Sequence, residues 1–123
     1  MVRSLALGAA LVVGMVAPAF AQSADSVVGN YSYTGTDTDG SKYSEAGKVV
    51  VKKAPSGALE VSWDDGAYVG VGQVTGNVFA VASVADGKNS IMLLTIGADG
   101  SLSGPWWRRL DKGAKGTEVW TKK

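Results

Sequence analysis

The sequence predicts an all-β fold, an eight-stranded antiparallel up-and-down barrel. Three observations carry this. Apolar and polar residues alternate with period two in several short stretches, turn residues interrupt them about every ten positions, and beyond residue 21 no stretch keeps helical apolar spacing over two full turns.

The first strand is expected over 27–34, with Gly29, Tyr31 and Tyr33 on one face, and the turn-rich run 36–41 ends it. A second strand over 42–53 finishes in Val49-Val50-Val51, and Ala54-Pro55-Ser56-Gly57 turns the chain. Leu59, Val61 and Trp63 then alternate with Glu60, Ser62 and Asp64, the pattern of a strand buried on one side. Strands over 67–74, 78–84 and 90–96 follow, separated by Thr75-Gly76-Asn77 and by the turn-rich run 85–89. Asp99-Gly100 predicts a two-residue primed turn, because Gly supplies positive φ without steric cost. After it come strands over 101–109 and 117–121, joined by the Gly- and Lys-rich run 110–116.

Short connections make sequence neighbours antiparallel partners, and closing the series on itself removes the exposed edges of an open sheet. Pro105 cannot donate to a ladder, so an irregularity is expected in the seventh strand.

The first 21 residues read as a cleaved signal peptide. Arg3 begins it, the apolar run 5–16 follows, and Ala19-Phe20-Ala21 has the small-x-small form of a cleavage site. Residues 22–123 then form one domain, periplasmic or secreted. The chain carries 12 Lys and Arg against 11 Asp and Glu, and Arg3 belongs to the leader, so the exported domain is neutral. A neutral domain has no bulk electrostatic reason to bind nucleic acid or anionic lipid, so no nucleic-acid partner is expected. Most of the strands fall short of the ~9–11 residues of a membrane-spanning strand, and the chain ends in Lys122-Lys123, so no membrane insertion is expected.

The chain has no His and no Cys, which removes the side chains most used as general base, nucleophile and transition-metal ligand near neutral pH. Asp64-Asp65 is a carboxylate pair, but the two are neighbours at a Gly turn, where Asp bonds its own backbone. Asp37-x-Asp39-Gly40 resembles the middle of a calcium loop whose first and last ligand positions hold Gly35 and Ala46. No enzyme activity, metal or cofactor is therefore expected.

Candidate ligand- or partner-binding residues are the aromatics Tyr31, Tyr33, Trp63 and Trp106, together with Trp107, Arg108 and Arg109. The first four are bulky enough to fill or line a barrel. Trp107 points opposite to Trp106, and an outward Trp beside two Arg has the composition of an interface hot spot. Trp120 shares its face with Glu118 and Lys122. The stretch 91–96 is apolar on both faces and 78–82 nearly so, which makes a second copy of the chain, docked through residues 78–96, the expected homodimer partner.

Gly29-x-Tyr31, Asp39-Gly40-Ser41-x-Tyr43, Trp63, Gly70-x-Gly72, Asp99-Gly100-x-Leu102-x-Gly104-x-Trp106 and Gly116-Thr117-Glu118 together resemble a group of small exported bacterial β-barrel proteins, some labelled fibronectin-binding. The layout is also similar to the calycin group, the lipocalins and avidins, in which an aromatic near the first strand packs over one end of the barrel. That likeness implies such a role for Tyr31. Ser56-Gly57-Ala58 resembles part of the inhibitory loop of small periplasmic lysozyme inhibitors. The functional expectation is a non-enzymatic exported binding module acting through barrel surface or mouth. The alternatives are a lysozyme-type enzyme inhibitor and a carrier of a small hydrophobic ligand.

Overall fold

The computed structural model describes residues 23–123, Asp86 excepted, so the expected leader lies outside the described residues. The chain is an all-β closed barrel of eight antiparallel strands in sequence order. They are β1 (Gly29–Thr36), β2 (Gly47–Lys53), β3 (Leu59–Trp63), β4 (Tyr68–Thr75), β5 (Val78–Ala85), β6 (Lys88–Ile96), β7 (Leu102–Arg108) and β8 (Lys115–Lys122). β8 closes on β1, with Tyr33 opposite Trp120.

The strand starts differ from the sequence expectation by five residues at β2 and by one or two at β1, β4, β6, β7 and β8, and at β1 and β2 the difference has a local cause. Val27 ends a 3-10 turn, Ala24–Val27, instead of opening β1. It is fully buried, and its carbonyl accepts the Tyr31 hydroxyl at 2.7 Å, so the turn folds under the barrel as a plug. β2 starts at Gly47 and not at residue 42, because the preceding residues form a loop in which Lys42 makes only a single bridge to Thr36. Tyr43 donates its N–H to the Gly35 carbonyl at 2.8 Å, which aims its ring into the barrel end.

The Asp99-Gly100 hairpin is a three-residue loop and not the two-residue turn expected. Gly100 N–H donates to Gly97 O at 3.0 Å and Gly97 N–H to Ser101 O at 2.7 Å, with Gly100 at φ 86°. This is a type I turn followed by a left-handed residue. The loops 37–41 and 54–58 repeat the same pair of bonds. In each, the side chain before the glycine accepts the N–H two residues on, as Asp39 does from Ser41 (2.8 Å) and Asp99 from Ser101 (2.9 Å). The hydroxyls of Ser41 and Ser101, followed by those N–H bonds, hold both carboxyls below the usual range.

β6 and β7 keep one register, Met92 opposite Trp106 and Thr95 opposite Ser103, but the rungs facing Gly104 and Pro105 are missing. Pro105 has no N–H to give, and the bare Cα of Gly104 sits against the Leu93 carbonyl. The expected irregularity is therefore a gap in pairing without a shift in register.

The period-two pattern decides what fills the barrel. On β6, Met92, Leu94 and Ile96 face inward and are buried, while Ile91 and Leu93 face out. Trp120 lies at the centre, fully buried. Its ring meets Trp63 and Phe79 edge-on at 5.9 and 6.2 Å between centroids, and Tyr31 at a tilt at 5.5 Å. Trp120 shares its face with Glu118, as the alternation along β8 predicts, and that face is the inward one until Lys122 at the strand end, which is exposed. The inner positions of β8 are Gly116, Glu118 and Trp120, and the first two are as enclosed as the Trp.

The two ends of the barrel are unlike. At one end lie the plug turn, the short loops 54–58, 76–77 and 97–101, and both ends of the described chain. At the other lie the loop 37–46, the 3-10 turns Asp64–Gly66 and Arg109–Asp111, and the β5–β6 hairpin.

Because Trp120 touches the aromatic residues of three other strands, Trp120→Ala should lower unfolding free energy by about 3–5 kcal/mol. Urea unfolding followed by circular dichroism measures this, and a loss below about 1 kcal/mol would contradict the packing described.

Candidate binding site in the barrel mouth

Glu118 is a carboxylate on an inward position of β8, only 5% exposed. A buried carboxylate needs donors, and three side chains from distant segments supply them. The indole N–H groups of Trp63 and Trp120 both donate to Oε1, at 3.0 and 2.8 Å, and the Tyr43 hydroxyl donates to Oε2 at 3.0 Å. Burial raises the Glu118 carboxyl above the ordinary Glu range; the Trp120, Trp63 and Tyr43 bonds oppose this rise, and the nearby Asp64 charge adds to it.

Above Glu118 the walls are aromatic. Tyr33 and Tyr43 meet edge to face, 6.1 Å between centroids. The Tyr33 hydroxyl donates to Asp64 Oδ2 at 2.6 Å, while Asp64 Oδ1 accepts the Lys48 N–H at 3.1 Å. Asp64 and Asp65 take positive φ, 51° and 60°, a conformation Asp tolerates better than most residues. Here the strained turn holds a tyrosine over the mouth. Asp65 points away to pair with Lys48 at 2.9 Å, so the two carboxylates do not face each other across a shared site. Burial, followed by the Asp64 bond, raises the Tyr33 phenol, and burial, followed by the Glu118 charge, raises that of Tyr43; both stay neutral at physiological pH.

Arg108 forms the opposite wall, its guanidinium 5.2 Å from the Trp106 ring centroid. Nε donates to Asp111 Oδ2 at 2.7 Å, and Nη2 to Asp37 Oδ1 at 2.9 Å and Thr38 Oγ1 at 3.2 Å. One cation therefore ties the loop 37–46 to the turn after β7. The Arg108 bond, followed by that from Thr38, holds the Asp111 carboxyl below its usual range, and the same bond to Asp111 raises Arg108.

Between these walls is a cavity of about 480 Å³ open to solvent, with Ser83, Ser90 and Met92 on its far side. It lies wholly at the end with the longer loops. The other half of the barrel is packed with the core residues around Trp120.

Of the residues singled out from sequence, Tyr33, Trp63, Trp106 and Arg108 line this mouth. Tyr31 lies below it in the packed half, its hydroxyl on the plug turn, with the Lys122 ammonium 5.6 Å from its ring centroid. Trp107 is on the outer wall opposite Ile91, and with Arg109 it borders a separate shallow depression. Ser56-Gly57-Ala58 sits at the far end, in the β2–β3 hairpin. The sequence reading missed Glu118 and Tyr43. Glu118 was within reach of it, since Gly116, Glu118 and Trp120 alternate on one face. Among the described residues, no group of three or more Asp, Glu, His or Cys side chains is placed to hold a metal ion.

No family model matches the chain, and no curated protein matches it. The eight-stranded barrel is a form shared by the groups the sequence resembles, and it selects none of them.

The raised Glu118 carboxyl fixes the sign of a pH effect. The folded protein holds this proton more tightly than the unfolded chain, so the contribution to stability is full below the unfolded value, near 4.5, and is lost as pH rises through the folded value. Melting temperatures of the protein and of Glu118→Gln, which cannot titrate, should therefore differ most in favour of the native residue near pH 4.5 and less at neutral pH. A difference constant with pH would show that Glu118 titrates normally.

Proposed function

We propose that this protein is a non-enzymatic exported binding module that takes a small ligand in the open mouth of its barrel. The observation that carries the proposal is the cavity of about 480 Å³, with aromatic walls and a buried carboxylate at its floor. This volume falls within the range of about 300–1,000 Å³ usual for small-molecule sites, and a few fixed polar groups among rings are the usual means of orienting a ligand there. Tyr33, Trp63, Trp106 and Arg108 are the assigned contacts from the sequence, joined by Tyr43 and Glu118. Tyr31 supports the floor. The absence of His and Cys from the chain favours binding over catalysis, and the leader-like first 21 residues favour export.

A specific observation favours self-association as a second property. Val69, Val71, Val84, Ile91 and Leu93 are all exposed on the outer face of β4, β5 and β6, and their cross-strand neighbours Ala80 and Ala82 continue the patch. No charged residue interrupts it, so an identical patch meets it without leaving a charge unpaired. Burying such side chains is worth roughly 1.5–3 kcal/mol each.

Both readings have direct tests. Titration with a library of small aromatic and amine compounds should produce saturable quenching of tryptophan fluorescence, weakened about tenfold or more by Trp106→Ala. A library that leaves fluorescence unchanged would count against the mouth as a binding site. Size-exclusion chromatography with light scattering should show a dimer that Ile91→Lys converts to a folded monomer. A native protein already monomeric at high micromolar concentration would remove the interface.

A further inference from the structure

We propose that the ligand class of the mouth is an organic cation, an amine or guanidinium whose charged nitrogen seats on Glu118 within the aromatic walls. The proposal rests on the reading of the mouth as a binding site and names what that site takes.

Glu118 is the centre of the argument. Its three protein donors are two indoles and a phenol, all neutral, and they occupy three of the roughly four lone-pair positions of a carboxylate. The remaining position is on Oε2, the oxygen shared with Tyr43, and both residues line the cavity. Among the described residues no Lys or Arg makes an ion pair with Glu118. A carboxylate so enclosed, without a cation beside it, is held at a large desolvation cost, and a cationic ligand supplies the missing charge.

The other charges of the site agree. Four carboxylates line the cavity, Asp37, Glu45, Asp64 and Glu118, against two cations, Lys88 and Arg108. Arg108 is already committed, through Nε to Asp111 and through Nη2 to Asp37, and so offers an anion little. Among the described residues no Lys or Arg side chain makes an ion pair with Glu118 or Asp64, so an anionic ligand would have to approach both with Lys88 as the remaining lining cation. The walls add a second attraction for positive charge, since the faces of Trp and Tyr rings are negative and draw cations within about 6 Å. Tyr33 and Tyr43 keep their hydroxyls on Asp64 and Glu118, so their rings are fixed before a ligand arrives.

Met92 gives a local reporter. It lines the cavity and is the sole methionine in the range 23–123. With the protein labelled with 13C at the methionine methyl groups and the Met92 signal assigned by Met92→Leu, three probes of matched size separate the classes at pH 7. They are benzylamine, which is protonated, benzyl alcohol, which is neutral, and benzoate, which is anionic. Benzylamine should shift the Met92 signal saturably and bind about tenfold or more tightly than benzyl alcohol, with benzoate weakest. Glu118→Gln should weaken benzylamine by about tenfold while leaving benzyl alcohol within about twofold.

Should Glu118→Gln fail to fold, Tyr43→Phe serves instead. It keeps the ring and the carboxylate and frees a second position on Oε2, so benzylamine affinity should hold or rise; a fall of about tenfold would overturn the proposal. If benzyl alcohol or benzoate binds as well as benzylamine, the cation class is wrong and the mouth as a binding site stands. If none of the three moves Met92 at about 20 mM, a range in which even weak fragments bind, both fall together.

Discussion

One carboxylate oxygen receiving two indole N–H groups governs the interior of this barrel. Glu118 Oε1 takes its donors from Trp63 on β3 and from Trp120 on its own strand. Without the carboxylate each indole would have to find another acceptor inside the barrel, and without the indoles the carboxylate could not be held there. The ring stacking around Trp120 depends on this arrangement, because the Trp63 and Trp120 rings meet edge to face while both point their N–H groups at one atom. Below that atom every inward side chain packs against another. Above it the space opens.

The rim is held by charge where the floor is held by packing. Arg108 reaches two carboxylates on two separate connections, and Asp64 fixes Tyr33 from a turn of unfavourable backbone geometry. Half-buried charged bonds of this kind are stronger than their exposed counterparts and keep loops from wandering. The mouth is thus shaped by the chain's own contacts. A ligand of the proposed kind would lose its own freedom there and order little of the protein, which would leave more of the contact energy as affinity.

Strand number, closure and the inner face of β3 were legible in the sequence, because alternation and turn residues are local signals. The choice of face on β6 was not. Ile91 and Leu93 are as apolar as Met92 and Leu94, and only the register with β5 and β7 turns one set inward. The turn at Asp99-Gly100 was visible as a turn, but its length depends on Gly97 and Ser101 closing around three residues. Glu118 was obscured by its own polarity: a Glu on a strand suggests water, and the donors that hold it inside lie 55 and 75 residues away in the chain, or two positions along on a Trp of the same face. Tyr43 was read as part of a strand, since nothing local shows that its ring turns inward.

The position of the last residue decides how this molecule can be mounted. Asn30 accepts the backbone N–H of Lys123 at 3.0 Å, so the last residue lies beside the start of β1, and both sit at the plugged end. A tether, a label or a fused domain attached after Lys123 therefore leaves from the face opposite the mouth. Immobilised by its last residue, the barrel stands with its opening toward solution, and a second module joined there would neither cap the cavity nor compete for its rim.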